Sequence, residues 1–504
     1  MGKDETVVVD TNKGKVMGII QHGMIVFRGI PYAKPPVDKL RFAPPEQMDS
    51  WFGVKECIEF GSSATQSDSV LINTKPREDC LYLNVWAPNK KGNTKYPVFF
   101  WIHGGGYFNG CGTMNYYDGR EFVNNGVILV TINYRLGALG FLALETLLKE
   151  YGTTGNWGTL DQIAALTWVK ENIQAFGGDP DMITIGGESA GSFSVTNLIM
   201  SPKAKGLFKR AVMQSGNLLS NKVAMPYTEA KLQPSIEASR NFAKKFGADD
   251  SLEGVEKLRN YDAYKLWETG FFSSDVTVPA PLAFWATLDG VVLPRNPEEA
   301  LRMGQYNKAD YLMGFNKNEG AVFLSETSTQ EGVDWFIKQI FKGRKEEVKE
   351  YYKRQGMEGL NLIPDLVTYA YFKAGITKMM NEFAKQGNTV YGYEFDFTPD
   401  GNYPMKGLGP HHAVDILYVF DTIKTSGLKE GEYDKFVAKQ MHTMWCNFIT
   451  NGNPNEGFPL PSPVFWEPFK NSKEMIYYFN RTMEFTFLKD KEKIEYFQKL
   501  LYHS

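Results

Sequence analysis

The chain has 504 residues, of which 43% are apolar and 22% charged, and its formal net charge is −3. That balance describes a globular protein with a large core and excludes a disordered chain. No basic surplus is present to neutralise nucleic-acid phosphates or an anionic membrane, and no apolar run is long enough to span a bilayer.

From the amino end, Met1-Gly2-Lys3-Asp4-Glu5 lacks the basic and apolar regions of a leader. The expectation is a soluble protein, cytoplasmic or exported with its leader removed. Four cysteines in so long a chain form no disulfide scaffold and are not spaced as metal or redox pairs. No metal or cofactor is expected, and the partner is a small molecule.

Cys80 to Trp86, Val98 to Ile102, Val127 to Asn133, Ile183 to Gly186 and Arg210 to Gln214 read as strands rich in β-branched and aromatic residues. Between them, Leu160 to Phe176 carries Ile163, Leu166, Val169 and Ile173 at the spacing of an amphipathic helix. Strands alternating with helices predict an α/β fold with a largely parallel, doubly wound sheet. Ala309 to Gly314 and Thr389 to Phe395 are later strands, and Asp434 to Thr450 is a helix stopped near Gly452-Asn453-Pro454. Two charged, helical stretches, roughly 225–297 and 327–387, interrupt the rhythm and read as cap or wall insertions. No repeat or linker divides the chain, so one composite domain over residues 1–504 is expected.

The sharpest chemical signal is Gly187-Glu188-Ser189-Ala190-Gly191, between the apolar run Ile183-Thr184-Ile185 and a helical segment. A nucleophile on a tight strand-to-helix turn needs small neighbours on both sides, and the helix start favours developing negative charge. Upstream, His103-Gly104-Gly105-Gly106 ends the strand at Ile102. Glycines there let the amides of Gly105 and Gly106 join that of Ala190 around a carbonyl oxygen, an oxyanion hole. A serine hydroxyl also needs a base that titrates near neutrality. Of the six histidines, His22 and His103 precede the nucleophile, His442 falls in a structural helix and His503 in the tail. His411 and His412 remain, both in a segment after the last strand candidate, where such a fold puts its base. The third member is an acid between serine and histidine, just after a strand. Glu319 fits, with Asp310 and Glu326 as the bland alternatives.

These residues, together with Phe27-Arg28-Gly29-Ile30-Pro31-Tyr32-Ala33, Glu78-Asp79-Cys80-Leu81-Tyr82-Leu83-Asn84-Val85, Asn133-Tyr134-Arg135-Leu136-Gly137, Phe176-Gly177-Gly178-Asp179-Pro180 and Gln214-Ser215-Gly216, resemble the type-B carboxylesterases and lipases over nearly the whole chain. That family includes the cholinesterases and bacterial para-nitrobenzyl esterases. The resemblance implies an α/β-hydrolase fold with Ser189, Glu319 and His412 as triad. Its histidine is usually followed three residues later by an acid, which selects His412, with Asp415, over His411. It also implies ion pairs Arg41 with Glu78 and Arg135 with Asp161. Cys80 matches a family cysteine, but Ala64 stands where its partner would be, so no Cys57–Cys80 bridge is assumed. The loop between them lacks the tryptophan with which cholinesterases hold a quaternary ammonium, which argues against a choline ester. Tyr107, Phe108, Glu188, Leu282, Phe284, Trp285 and Phe323 are the expected pocket residues, suited to an apolar acyl or alcohol group.

The expected function is hydrolysis of neutral carboxylic esters through an acyl-enzyme. Amidase, carbamate hydrolase and feruloyl-type esterase share the machinery. A recognition domain that has lost catalysis is the alternative of another class, and it usually lacks one triad member; here all three are present.

Overall fold

In the computed structural model, which describes residues 5–68, 74–89, 94–217, 219, 230–270, 284–324 and 328–502, thirteen strands form one mixed sheet among the described residues. They are β1 (Thr6–Thr11), β2 (Gly14–Gln21), β3 (Met24–Pro31), β4 (Val54–Glu56), β5 (Tyr82–Pro88), β6 (Tyr96–Ile102), β7 (Ile128–Ile132), β8 (Gly178–Glu188), β9 (Arg210–Gln214), β10 (Asp310–Asn316), β11 (Val390–Phe395), β12 (Met475–Phe479) and β13 (Glu484–Phe487). The order is β1-β2-β3-β5-β7-β6-β8-β9-β10-β11-β12-β13, with β4 paired to β2. From β7 to β12 every neighbouring pair is parallel, whereas β1, β2, β3 and β5 at one end and β13 at the other join antiparallel. The parallel centre is what the strand rhythm predicts, and the whole is the α/β-hydrolase arrangement that the family resemblance implies.

The parallel strands are continuous apolar runs because both faces are covered. Every residue of β7 and β9 is buried. Along β6, Val98, Phe100 and Ile102 enter the core on one face while Phe99 and Trp101 enter the core on the other, the two-residue alternation of a strand. Helices α1 (Trp157–Asn172) and α2 (Ala190–Met200) supply Leu166, Val169, Phe193 and Val195 to the first core; α3 (Glu432–Asn451) supplies Met441, Trp445 and Phe448 to the second.

Arg135 Nη2 and Asp161 Oδ1 lie 2.7 Å apart with both side chains buried, and Arg41 Nε donates to Glu78 Oε1 at 2.7 Å. Both ion pairs form as the family resemblance implies. Cys57, Cys80, Cys111 and Cys446 are free and buried. Within the described residues no helix is long and apolar enough to cross a membrane. The insertion readings are described in part: Leu232–Lys244, Leu252–Arg259 and Ala263–Thr269 are helices in the first, and Gln330–Ile340 and Lys345–Arg354 in the second. The starting residues Met225 and Thr327 of those readings, and His503, lie outside the described residues.

Candidate active site

The residues singled out by chemistry converge at the carboxyl ends of the parallel strands, where open α/β sheets form their crevices. Strand β8 ends at Glu188, Ser189 turns the chain at φ 55°, and α2 begins at Ala190. The small neighbours are sterically required: a methyl on Gly191 would lie 2.0 Å from the Ile102 carbonyl oxygen, and one on Gly187 would lie 2.4 Å from the Gly191 carbonyl carbon. The strain of a non-glycine residue at positive φ is thus held by close packing of the turn against β6.

Beyond β6, Gly105 and Gly106 have φ of 103° and 64°. Among the described residues, the amides of Gly105, Gly106 and Ala190 meet no protein acceptor. The orientation of the Gly105 amide has a visible cause. His103 Nδ1–H donates to the Gly104 carbonyl at 2.8 Å. In a trans peptide the C=O and the following N–H point opposite ways, so this bond turns the Gly105 N–H away from His103. The His103 ring stacks on Tyr134 at 4.5 Å, and burial pushes its pKa down to about 4, so it stays neutral.

Glu319 follows β10 and is fully buried. Its Oε1 accepts the Asn316 N–H at 2.7 Å, and its Oε2 accepts the His412 Nδ1–H at 2.6 Å. His412, in the segment after β11, thereby has a fixed tautomer. His411 does not reach the acid: its Nδ1–H donates to the His412 carbonyl at 2.8 Å. Asp415 is buried and accepts from Gln214 Nε2 at 2.8 Å, Asn316 Nδ2 at 3.1 Å and the Tyr393 hydroxyl at 3.1 Å. Asn316 Nδ2 also donates to the His411 carbonyl at 2.7 Å, which ties the histidine loop to β10.

The free side of the imidazole, Nε2, faces Glu188 Oε1 at 3.2 Å. No hydrogen bond joins it to Ser189 among the described residues, although Ser189 and His412 line the same cavity. Burial alone would lower the pKa of His412; the carboxylates of Glu188 and Glu319 outweigh it and push it up to about 9. Burial pushes Glu188 up to about 8, against the pull of His412. Both groups are thus shifted upward, and being in contact they titrate as a pair.

The cavity encloses about 440 Å³, the size of a small-molecule site. Glu188 and Phe323 line it, as the sequence suggests. Tyr107, Phe108, Phe284 and Trp285 do not: they sit behind the described wall. Tyr107, at φ 60°, turns inward, where its hydroxyl meets Ser194 and Asn197. Phe108 stacks on Trp267 at 4.4 Å, Trp285 packs behind Phe193 at 4.7 Å, and Phe284 packs edge-on to Phe242. Leu282 lies outside the described residues. The wall is formed instead by Met114, Tyr116, Tyr117, Phe193, Tyr371 and Phe372. Tyr371 and Phe372 belong to the second insertion, whose scattered aromatics were the only signal for them in the sequence. Tyr116 and Tyr117 carried a weaker signal, as aromatics ten and eleven residues beyond Gly106.

A strained serine at the end of a parallel strand, an acid-bound imidazole and unpaired amides around one largely apolar cavity are the arrangement of a serine hydrolase of the α/β-hydrolase class. A model described as "Carboxylesterase family" matches residues 5–497. The chain is 34% identical over 470 residues to the para-nitrobenzyl esterase of Bacillus subtilis (strain 168), covering 89% of this chain and 90% of that one. It is 34% identical over 498 residues to carboxylesterase 1C of Rattus norvegicus, covering 90% and 87%. Among solved structures, the Geobacillus stearothermophilus carboxylesterase EST55 at pH 6.2 superposes with a TM-score of 0.83 at 33% identity, over 97% of this chain and 99% of that one. The chain belongs to the carboxylesterase family.

Proposed function

We propose that Ser189, His412 and Glu319 are the catalytic triad of this carboxylesterase, with the amides of Gly105, Gly106 and Ala190 as its oxyanion hole, in one composite domain. Ser189 Oγ attacks the ester carbonyl carbon while His412 Nε2 takes the hydroxyl proton. The carbonyl oxygen becomes an oxyanion among the three amides, donors that need no reorganisation when the charge develops. Collapse expels the alcohol, which takes the proton back from His412, and leaves an acyl group on Ser189. Water, activated by the same imidazole, then releases the acid. The observation that carries this reading is the 2.6 Å bond from His412 to the buried Glu319 in the cavity that also holds Ser189. Ser189 and His412 line one cavity, and the group now facing Nε2 belongs to Glu188, the residue before the nucleophile. Unliganded sites commonly have such unformed catalytic bonds. The aromatic wall suits neutral esters with apolar groups. The enzyme is read as soluble, cytoplasmic or exported, and without a nucleic-acid partner.

A fluorophosphonate probe tests the nucleophile: Ser189 Oγ should form a bond to phosphorus with loss of fluoride, and peptide mass spectrometry should place the label on Ser189. An unlabelled chain, or a label elsewhere, overturns the assignment. Hydrolysis rates for p-nitrophenyl esters of increasing acyl length then measure the wall directly.

The Glu188 contact predicts a pH effect. His412 acts as base only when Nε2 is free of its proton, and Glu188 helps hold that proton on. The kcat/KM of the native enzyme therefore climbs through the alkaline range as the pair loses its proton. Glu188→Gln removes the charge, and the midpoint of that climb should move to lower pH by about one unit or more. Rates with p-nitrophenyl acetate, corrected for spontaneous hydrolysis, would show it. An unmoved midpoint would mean that Glu188 does not charge the imidazole.

A further inference from the structure

Residues Thr368–Lys373 form a π-helical turn between the α-helix Ile363–Val367 and the α-helix Ala374–Lys385. A π-turn inserts an extra residue into the helical repeat and persists where function repays its poorer hydrogen bonding. This one touches the catalytic groups on one side. The Phe372 ring lies 4.8 Å from that of His412, Tyr371 and Phe372 line the cavity, and Thr368 Oγ1 accepts the N–H of Gly320, the residue after Glu319, at 2.8 Å.

On the other side the turn is tied into the protein by a charge. Lys373 is fully buried, and its Nζ lies 3.3 Å from Glu394 Oε2 on β11 and 3.0 Å from Asp490 Oδ2. It also sits over the rings of Phe315 and Tyr369, at 5.1 and 5.2 Å. Asp490 immediately precedes the C-terminal helix Lys491–Tyr502, whose Phe497 stacks on Tyr369. Burying such a charge set is a poor way to gain stability, because desolvation offsets most of the attraction and apolar residues of the same size often serve as well. What it supplies is a unique placement: one rotation of the turn puts Nζ between two carboxylates.

We propose that Lys373 is a specificity-determining positioning residue: its ion pairs with Glu394 and Asp490 hold the π-turn in the one register that sets Phe372 against His412 and Tyr371 in the cavity wall. The inference rests on the proposed role of His412. Without the charge, the turn relaxes toward α-helix, and the side chains within it, Tyr371 and Phe372 included, rotate around the helix axis. The part of an ester lying against Phe372 and Tyr371 then meets a different wall, while Ser189, Glu319 and the oxyanion amides stay on their own elements.

The test is the double variant Lys373→Met with Glu394→Gln, which removes both fully buried charges at nearly constant volume, alongside Asp490→Asn, which loosens only the partly exposed end. For each folded protein, kcat and KM are measured on p-nitrophenyl acetate and octanoate. The octanoate-to-acetate ratio of kcat/KM should change by about tenfold or more in the double variant, carried mainly by KM, and in the same direction by a smaller factor in Asp490→Asn. An unchanged ratio in a folded double variant, or an equal loss on both esters, overturns the proposal. Should the double variant not fold, Asp490→Asn decides, and an unchanged ratio there overturns it equally. Fluorophosphonate labelling of Ser189 in each protein separates the two readings: loss of labelling in the unsubstituted enzyme contradicts the triad, whereas retained labelling with an unchanged ratio contradicts only the role of Lys373.

Discussion

Ser189→Ala should lower kcat on p-nitrophenyl butyrate by roughly four to six orders of magnitude with little change in thermal unfolding. The size follows from the proposed division of labour in the site. Removing Oγ removes the bond that forms in acylation, and what remains is an oxyanion hole and a binding cavity acting on attack by water. The near-constant stability follows from the absence of any hydrogen bond from Ser189 Oγ among the described residues, and alanine carries the same β-carbon at φ 55°. His412→Ala should cost about as much, and the double variant little more, because the two act as one unit. Residual turnover by Ser189→Ala above about one per cent of the native rate would require another nucleophile.

How much of this was legible beforehand depended on which physical constraint shapes each part. The strand-to-helix turn at Ser189 could be read because sterics leave no choice at Gly187 and Gly191, where a β-carbon would collide with backbone. The central strands could be read because burial on both faces makes them rich in apolar residues, and Arg210–Gln214 is found with the same bounds. Of the flanking antiparallel strands, β5 was read as Cys80 to Trp86, whereas β1, β2, β3 and β13 were not identified. β1 is exposed or half-exposed at all but Val9, and its Thr-Val-Val-Val-Asp-Thr sequence shows no alternation of apolar and polar residues. The choice of His412 over His411 needed the family resemblance, since both residues have the same chemistry and only the folded loop decides which reaches Glu319. Pocket walls were the least legible. Tyr107 and Phe108 follow the glycine run directly, but positive φ at Gly106 and Tyr107 turns the chain so that these rings enter the core. Phe372 reaches the cavity through a π-turn, a departure from the helical repeat that apolar spacing does not reveal.

Asp161→Ala should destabilise the protein by about 3–5 kcal/mol, because it leaves a buried guanidinium without its counter-charge. Asp161 is wholly buried on α1, and its Oδ2 accepts from both the Arg135 backbone N–H at 3.0 Å and Arg135 Nε at 2.8 Å, while Oδ1 accepts from Nη2 at 2.7 Å. The remaining guanidinium donor Nη1 is occupied by the Ala43 carbonyl at 2.8 Å, so the cation cannot swing out to water without breaking further bonds. Arg41–Glu78 is the milder case, since the Glu78 side chain keeps 16% of its exposure and water can replace part of what a substitution removes. The same physics separates breaking the Arg135 pair from replacing it: Arg135→Met with Asp161→Leu removes both charges and should recover most of the loss. Urea unfolding of the two single variants and the double closes the cycle, and a single-variant loss below about 1 kcal/mol would show that water already reaches the pair. The consequence extends to the site, because Arg135 lies between Tyr134, whose hydroxyl donates to the His103 carbonyl at 3.0 Å, and the turn at Gly137, whose N–H donates to the Tyr107 carbonyl at 2.7 Å. Loosening the clamp therefore loosens both ends of the glycine run, and the folded fraction of Asp161→Ala should lose kcat while its KM for p-nitrophenyl acetate changes little, the signature of donors that act on the transition state rather than on the bound ester.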